Sequence, residues 1–377
     1  MIHLHKKIII TSIGHFLVHS MTMILPVILV ILGKEFSISL FRLGQLVTIQ
    51  ILFLGFGGFP SGILADKYGE KKILLIYFIG LIVISLWLFF SKTFFMVAFG
   101  LALLGLITGL YHPAGLKMIS NTQNVSRSMS YHGVSGSLGL AFGPIYGSWM
   151  TNLYGWRFSY LLLGVIAVFG LVMLMAYDDG IVDKSIKRKI QFKFSSSQIM
   201  IIFIASLWGL AHHGLFNFLP LYFNDSVKTN WVPIIGSGLL TGFVLILGII
   251  GQLLGGVLGE YFQRKNVYIW VVGLNIPFLI MMGFYNGWML VAIAGTLGAI
   301  NFMFQPINNS LLADVTNKDQ RGTVYGFSAG ISFSIGSFAG IIGGYMGDIF
   351  SINYIFPMMS LFLIPAVILA LILQKKL

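Results

Sequence analysis

Long apolar runs separated by short polar stretches constrain this chain more than any other feature of its sequence. Each run holds roughly 20 or more residues, the length that a helix needs to cross a bilayer. Charged residues make up only 9% of the chain, whereas a soluble domain carries about 25%. Lipid admits only helices or closed barrels, because every backbone polar group must be paired within the protein. The runs do not alternate with period two, so we expect helices and not a barrel.

We place twelve membrane spans on these runs. Of the 23 lysines and arginines, 18 then fall in segments on one side of the membrane. This bias marks the cytoplasmic side and puts both termini there, so we expect a multi-pass protein of the inner (plasma) membrane. With eleven spans, the lysines and arginines would no longer be concentrated on one side of the membrane. The predicted spans are 8–33, 43–64, 72–91, 94–119, 129–152, 158–177, 198–224, 233–259, 267–285, 288–313, 323–347 and 352–373.

A short charged turn lies between the second and third spans. It reads Gly62-Ile63-Leu64-Ala65-Asp66-Lys67-Tyr68-Gly69-Glu70-Lys71-Lys72. This run resembles the loop between the second and third helices of the major facilitator superfamily, whose members are transporters with twelve spanning helices. It departs from the family pattern at Glu70, where a basic residue is common. The resemblance implies an all-α polytopic membrane protein of two pseudo-symmetric six-helix bundles that works by alternating access.

The two halves of the sequence repeat each other at an offset near 194 residues, as the parallel repeats of this superfamily do. The longest polar stretch, 178–197, is predicted to be a cytoplasmic linker between bundles at 1–177 and 198–377. A solvated basic loop that serves only topology is the open alternative. The pairs related by the offset include Asp66 and Glu260, His112 and Gln305, Pro113 and Pro306, and His132 and Tyr325.

The fifth span carries a helix-packing motif made of Gly139, Gly143, Pro144 and Gly147. It resembles the fifth-helix signature of the superfamily's proton-driven drug exporters, with Ser148 in place of a final glycine. Glycines four apart let another helix approach closely, so plain packing is the alternative interpretation. In the fourth span, a Tyr-His-Pro run at 111–113 resembles the subgroup that includes fosmidomycin-resistance-type exporters.

Polar side chains inside the membrane are concentrated on the first, fourth, seventh and tenth spans, which surround the central cavity in this fold. All eleven carboxylates lie in loops or close to the ends of spans. Ionisable groups deep in a membrane are costly and mark a pathway, although amides there often only bond a neighbouring helix. The candidate substrate and proton cavity comprises His15, His19, Gln50, Tyr111, His112, His213, Asn217, Asn301, Gln305 and Asn309. We interpret His212 as a packing residue.

This lining constrains the cargo. A cavity of imidazoles and amides without an acid should repel organic cations and suit anions or zwitterions. Histidine changes its charge near physiological pH, so our hypothesis is that one or more of His15, His19, His112 and His213 couples transport to protons. A second interpretation uses His15 and His19, four residues apart, as ligands of a transition metal. The absence of cysteine and of buried carboxylates argues against a tight site for a bare metal ion, whereas a metal chelate as cargo stays open.

Charged residues at the cytoplasmic ends of the spans are predicted to form a gate. In relatives, the acid at the position of Asp66 faces the start of the eleventh helix, which here lies near Thr323. Lys67 and Lys71 are placed to reach acids on neighbouring helix ends, and Glu260 with Arg264 should join the eighth span to the fifth. A role in topology alone is the alternative. The candidate gate comprises Gly62, Asp66, Lys67, Gly69, Lys71, Arg127, Glu260, Arg264 and Arg321.

These features predict a monomeric secondary active transporter that exports a small anionic or zwitterionic compound in exchange for protons. An importer or facilitator of a metabolite or metal chelate is the alternative, and a non-transporting sensor on the same fold is another. The net charge of +12 follows membrane topology, so we expect no nucleic-acid partner. We find no nucleophile–base set that would indicate an enzyme, and we expect no cofactor. The first apolar run is too long for a cleaved signal peptide.

Overall fold

The computed structural model describes residues 2–120, 125–177, 194–317 and 320–376, and the regular structure within these ranges is helical. The helices of the first half are α1 (Ile2–Thr22), α2 (Ile24–Phe36), α3 (Leu40–Tyr68), α4 (Glu70–Phe90), α5 (Phe94–Ser120), α6 (Val125–Tyr154) and α7 (Trp156–Met175). Those of the second half are α8 (Ser196–Ser226), α9 (Pro233–Tyr261), α10 (Arg264–Met282), α11 (Gly287–Asp314), α12 (Arg321–Gly336), α13 (Ala339–Ile349), α14 (Ile355–Ser360) and α15 (Leu363–Lys376).

Eleven helical segments of the described chain, of 19 to 31 residues, are long and apolar enough to cross a membrane. They fall on eleven of the twelve predicted spans, and α6, with 30 residues, occupies the place of the fifth. Large apolar side chains such as Phe169 and Trp270 are exposed on the outside of the protein, as a lipid-facing surface requires. The prediction of an all-α polytopic membrane protein is confirmed.

Three of the spans consist of two consecutive helices, and proline explains two of the breaks. Pro26 is the third residue of α2 and Pro365 the third residue of α15. Proline has no N–H to donate to the preceding turn, so the first turn of a helix accommodates it best, although α3, α5 and α6 continue through Pro60, Pro113 and Pro144. The first span is therefore interrupted at Met23 and the last near Leu361.

Each half has an apolar core of its own. The first contains Tyr77, Trp156 and Tyr160, and its buried residues run from 10 to 177. The second is built around the aromatic rings of α8 and α10 and draws its buried residues from 201 to 373, together with Ala141 of α6. The boundaries at 1–177, 178–197 and 198–377 stay predictions, since most of the linker lies outside the described residues.

The second half begins two residues before the predicted start at 198. The hydroxyl of Ser195 accepts a hydrogen bond from the backbone N–H of Gln198 at 3.2 Å, and the Gln198 side chain accepts one from the Ser195 N–H at 2.8 Å. This reciprocal cap satisfies two N–H groups that a helix start would otherwise leave unpaired, and α8 therefore begins at Ser196.

Hydrogen bonds join the two halves at one end of the molecule, and toward the other end α3 and α12 meet through aromatic side chains, with the Phe59 and Phe327 rings 5.6 Å apart. We call the end that carries Asp66, Lys117 and Arg264 the basic end, and the other the distal end. At the distal end, Asp348 accepts hydrogen bonds from the first backbone N–H groups of α3, at 2.8 and 2.9 Å. Thr48 donates to the Ser337 carbonyl at 2.8 Å. These bonds tie α3 of the first half to the α12–α13 span of the second.

A second contact between the halves pairs α6 with α9. A Cβ built at Gly238 would collide with Ser148 and with the Pro144 carbonyl, and one built at Gly242 would meet Ile145. The other face of the α6 motif packs on α1, where Gly139 lies against the Phe16 backbone. Glycine at these positions lets backbones approach within a distance that any side chain would prevent.

We predict that Gly44→Val destabilises the protein. A Cβ at Gly44 would overlap the backbone of Gly340, and a backbone cannot rotate away as a side chain can. Overpacking of this kind costs about 1–3 kcal/mol, so the melting temperature in detergent should fall.

The matched control is Gly256→Val, because a Cβ at Gly256 meets no atom within 4 Å. Equal melting temperatures for the two variants would show that the halves are not in close contact at Gly44.

Candidate functional site

Four histidines of the first half converge on one place within the bundle. His15 and His19 lie one turn apart on α1, His112 lies on α5 and His132 on α6. The ring of His15 is central. Its centroid is 4.9 Å from that of His19, 5.2 Å from that of His112 and 4.0 Å from the stacked ring of His132. Three helices therefore share one cluster of imidazoles.

A backbone carbonyl determines which nitrogen of His15 carries the proton. Nδ1 of His15 lies 2.7 Å from the carbonyl oxygen of His132. Because a carbonyl only accepts hydrogen bonds, Nδ1 must donate, and in the neutral ring Nε2 then presents a lone pair. That lone pair points toward Nε2 of His19 at 3.2 Å.

Two tyrosines attach α1 to neighbouring helices in the turn that precedes His15. Tyr111 of α5 donates its hydroxyl hydrogen to the Thr11 carbonyl, and Tyr77 of α4 donates to the Gly14 carbonyl at 2.8 Å. Both rings are fully buried. Gly136 of α6 has no Cβ at the point where one would collide with the His15 ring, so the sequence leaves room for this imidazole.

Part of the cluster is accessible to a molecule the size of water. His15, His19 and His112 are half-buried, although each lies well inside a candidate membrane span. His132 is buried, and its Nδ1 has no hydrogen-bond partner within the described structure. The three half-buried rings place their ligand nitrogens no more than 4.8 Å from one another.

The second half has a different arrangement of polar groups. Nδ1 of His212 lies 2.7 Å from the Asn301 side-chain oxygen, and the Asn301 amide donates to Asn275 at 2.9 Å. This chain of bonds joins α8, α11 and α10. His213 points elsewhere: its ring lies 5.6 Å from that of Phe333 on α12, and it is half-buried.

Four of the ten predicted cavity residues are buried in contacts between or within helices. Tyr111, Gln50, Asn217 and Asn301 are at most 5% exposed, and each donates a hydrogen bond to a protein oxygen. Membrane amides commonly satisfy their donors in this way. In this structure these four side chains therefore lie within helix contacts, and their place in a substrate cavity stays a prediction.

The other six predicted cavity residues keep accessible surface. They are His15, His19, His112, His213, Gln305 and Asn309. The structure brings the first three of them together, whereas the last three lie on α8 and α11.

At the basic end, the described ion pairs stay within each half. Lys117 of α5 lies 2.8 Å from Asp66 and 4.0 Å from Glu70. In the second half, Arg264 of α10 lies 2.7 Å from Asp314 of α11. The two pairs occupy equivalent places in the repeat. In the first half the acid Glu70 starts α4 and the base Lys117 lies near the end of α5, whereas in the second half the base Arg264 starts α10 and the acid Asp314 ends α11.

Two residues of the predicted gate make contacts within the first half. Lys71 donates to the Tyr177 carbonyl at the end of α7, and the charge of Lys67 lies 4.9 Å above the Tyr68 ring. Their reach to acids on neighbouring helix ends stays a prediction. Arg264 pairs within its own half because α10 and α11 are neighbours there. The side chain of Arg127 lies outside the described residues, so a link from Glu260 to α6 stays a prediction.

Three residues of these clusters lie outside the predicted cavity and gate. The sequence relates His132 only to its repeat partner Tyr325, since a single histidine on α6 gives no periodic signal. Lys117 and Asp314 are single charges at helix ends, and only the fold shows that each meets an opposite charge.

Known proteins resemble this chain along most of its length. It is 25% identical over 326 residues to a multidrug resistance protein, MdtG, of Proteus mirabilis, covering 82% of this chain and 79% of the relative. It is 23% identical over 349 residues to a hexuronate transporter of Bacillus subtilis, covering 83% and 81%. It is also 23% identical over 376 residues to the quinolone resistance protein NorA of Staphylococcus aureus, covering 92% and 91%.

Structure comparison gives the same fold. A crystal structure of a bacterial homologue of the human lysosomal transporter Spinster, inward-facing and unoccupied, superposes with a TM-score of 0.82 at 11% identity, covering 99% of this chain and 97% of the other. The family model of the Major Facilitator Superfamily matches residues 11–248 and 232–376. This chain belongs to the major facilitator superfamily and is a membrane transporter, not an enzyme.

Proposed function

We propose that this transporter exports a small anionic or zwitterionic compound across the inner membrane, with both of its termini in the cytoplasm, and that protons drive the export. The observation that carries the proposal is the cluster of His15, His19 and His112. Three half-buried imidazoles converge between helices α1, α5 and α6, none of which contains an aspartate or glutamate. The protein acts as a monomer in this proposal.

The charge of the site favours an anion. An organic cation needs a carboxylate or a set of carbonyls to replace its water, and α1, α5 and α6 offer no carboxylate. Imidazole N–H groups can donate hydrogen bonds to an anion. Lys117 adds a positive charge toward the basic end of α5. A zwitterion would use the same donors for its carboxylate.

The relatives support both export and an anionic cargo. Two of them are named as resistance proteins, MdtG and NorA, and the Gly-Pro motif of α6 resembles the signature of proton-driven exporters. The third is named for hexuronate, a sugar acid. That name also favours the second candidate function, an importer or facilitator of a metabolite or of a metal chelate.

Alternating access is supported by the unequal contacts at the two ends. The distal end is closed by backbone-to-backbone contacts between the halves at Gly44 and Gly238. The described ion pairs of the basic end hold each half together separately. Opening at the basic end would leave these pairs intact and would separate side-chain contacts between α3 and α12, such as that of Phe59 with Phe327.

For the proton we propose His213. Its ring is half-buried, and among the described contacts it faces Phe333, Gly336 and the neighbouring His212, with no acid recorded against it from α12. His212, by contrast, is bonded to Asn301. A ring without a bonded partner that keeps accessible surface can gain and lose a proton during each cycle.

We predict that anions and zwitterions stabilise the purified protein and that organic cations of similar size do not. A panel of small carboxylates, amino acids, phosphates and quaternary amines is compared by thermal shift in detergent. A ligand at 100 times its dissociation constant adds about 2.7 kcal/mol to stability. Stabilisation by the cations alone would contradict the proposed cargo.

We predict that His213→Gln uncouples flux from protons. In proteoliposomes loaded with the stabilising compound, an imposed pH gradient should drive flux of the compound by the parent protein. The variant should keep binding in the thermal-shift assay and lose the pH-driven component.

The matched control is His5→Gln, which changes a histidine that precedes the first candidate span. Flux that responds to the gradient equally in the parent and in His213→Gln would exclude His213 as the proton site.

We predict that Asp66→Asn shifts the protein toward the state open at the basic end. In the described conformation Asp66 binds Lys117, and we propose that it meets the start of α12 when that end closes. Removing this exposed charge should change the free-energy difference between the states open and closed at the basic end by about 1 kcal/mol at most. The ratio of the two populations would then change by about fivefold.

Spin labels at Ser120 and Tyr261 report the opening, with Asp225→Asn, an acid near the distal end of α8, as the control. A distance distribution unchanged by Asp66→Asn would argue for a role in topology alone.

A further inference from the structure

We infer that His15, His19 and His112 form a binding site for a divalent transition metal ion. Among the residues that the structure describes, they are the one group of three or more potential metal ligands whose donor atoms all lie within 4.8 Å of one another. The site goes beyond the proposed function, because metal binding can be measured whether or not the protein moves a cargo.

The spacing of the nitrogens fits a small metal ion. With metal–nitrogen bonds of about 2.0–2.1 Å, two ligands of a tetrahedral zinc site lie about 3.3 Å apart. The two Nε2 atoms of His15 and His19 are already 3.2 Å apart. His112 completes the triangle after its nitrogen closes by at most about 1.5 Å, which a rotation of this half-buried side chain provides.

His15 also has the hydrogen bond that a metal-bound histidine needs. Imidazole ligands nearly always donate their second ring N–H to a carbonyl or carboxylate, which fixes the ring and directs the other nitrogen to the metal. Here Nδ1 of His15 donates to the His132 carbonyl at 2.7 Å, and the His132 ring stacks on the ligand at 4.0 Å. The Nε2 lone pair of His15 is therefore held ready for a ligand.

Imidazole selects the class of ion. Neutral nitrogen ligands suit zinc, copper, nickel and cobalt, whereas magnesium and calcium require oxygen ligands. Three neutral ligands leave both positive charges of the ion uncompensated and at least one coordination position free. An anionic ligand arriving with the metal would fill that position and offset the charge. Only this last step rests on the proposed anionic cargo.

The other half offers an internal comparison. His212 and His213 are adjacent on α8, so they project in different directions, and Nδ1 of His212 is engaged by Asn301. Packing alone explains a histidine of that kind. It does not explain three imidazoles that converge from two helices with their nitrogens within 4.8 Å of one another.

The test is Co²⁺ binding to the full-length protein, purified in detergent without a polyhistidine tag. His3 and His5 near the N-terminus are first replaced by alanine, so that they contribute no binding of their own. We expect one Co²⁺ per chain, with the intense visible absorption of a four- or five-coordinate ion, and no competition from Mg²⁺.

Single substitutions assign the ligands. His15→Ala, His19→Ala and His112→Ala should each weaken Co²⁺ binding by at least about tenfold, whereas His212→Ala should leave the affinity unchanged. Size-exclusion profiles and melting temperatures show whether each variant is folded. Equal affinity in the parent and in a folded variant that lacks all three histidines would overturn the inference, as would the absence of binding to the parent.

A second measurement avoids substitutions. Carbethoxylation of histidines in the unmutated protein, read by mass spectrometry with and without Zn²⁺, should show protection of His15, His19 and His112 but not of His213. Protection of His213 alone, or of no histidine, would contradict the site.

Discussion

A polar group buried in the bilayer is costly unless it finds a partner inside the protein, and the hydrogen bonds that satisfy such groups fix how the helices of this protein lie. In the first half, several of these partners are backbone carbonyls of α1. Tyr77 and Tyr111 bond to them from α4 and α5. Leaving such a hydroxyl unpaired in an apolar medium would cost several kcal/mol, so these bonds fix where α1 lies, and with it His15 and His19.

The same constraint separates the parts of the protein that stay together from those that can move. The bonds from tyrosines to α1 and the chain from His212 through Asn301 to Asn275 are internal to one half. Contacts between the halves at the distal end rely instead on glycines such as Gly44 and Gly238, and on the cap that Asp348 gives α3. Because these hydrogen bonds lie within one half, the two halves can move relative to each other without breaking them.

The number, length and order of the spans were predictable from the sequence, because hydropathy and the distribution of lysine and arginine act locally along the chain. So was the meeting of His15, His19 and His112, since the first pair shares a helix face and the fold places the first and fourth spans together. The burial of Asn301 and Gln50 was not predictable. The sequence pattern around an amide in a span is the same whether its side chain faces a cavity or forms a hydrogen bond with a neighbouring helix.

The ion-pair partners of the charged residues at the basic end could not be predicted from the sequence either. Lys117 is 51 residues from Asp66, and Arg264 is 50 residues from Asp314. Nothing local distinguishes these pairs from other combinations of loop charges. The repeat aligns Glu70 with Arg264, which has the opposite charge. Comparing the two halves therefore does not indicate that both positions form ion pairs.

The most direct test is whether the imidazole cluster faces water. The chain contains no cysteine, so single cysteines can be placed at positions 19, 112 and 213 without background, with Phe169→Cys as the control on the lipid-facing surface. We predict that a charged, membrane-impermeant thiol reagent labels the three interior positions and leaves position 169 unmodified. Labelling of none of the three, with modification only by a lipid-soluble reagent, would show that these histidines lie against lipid and not between the halves.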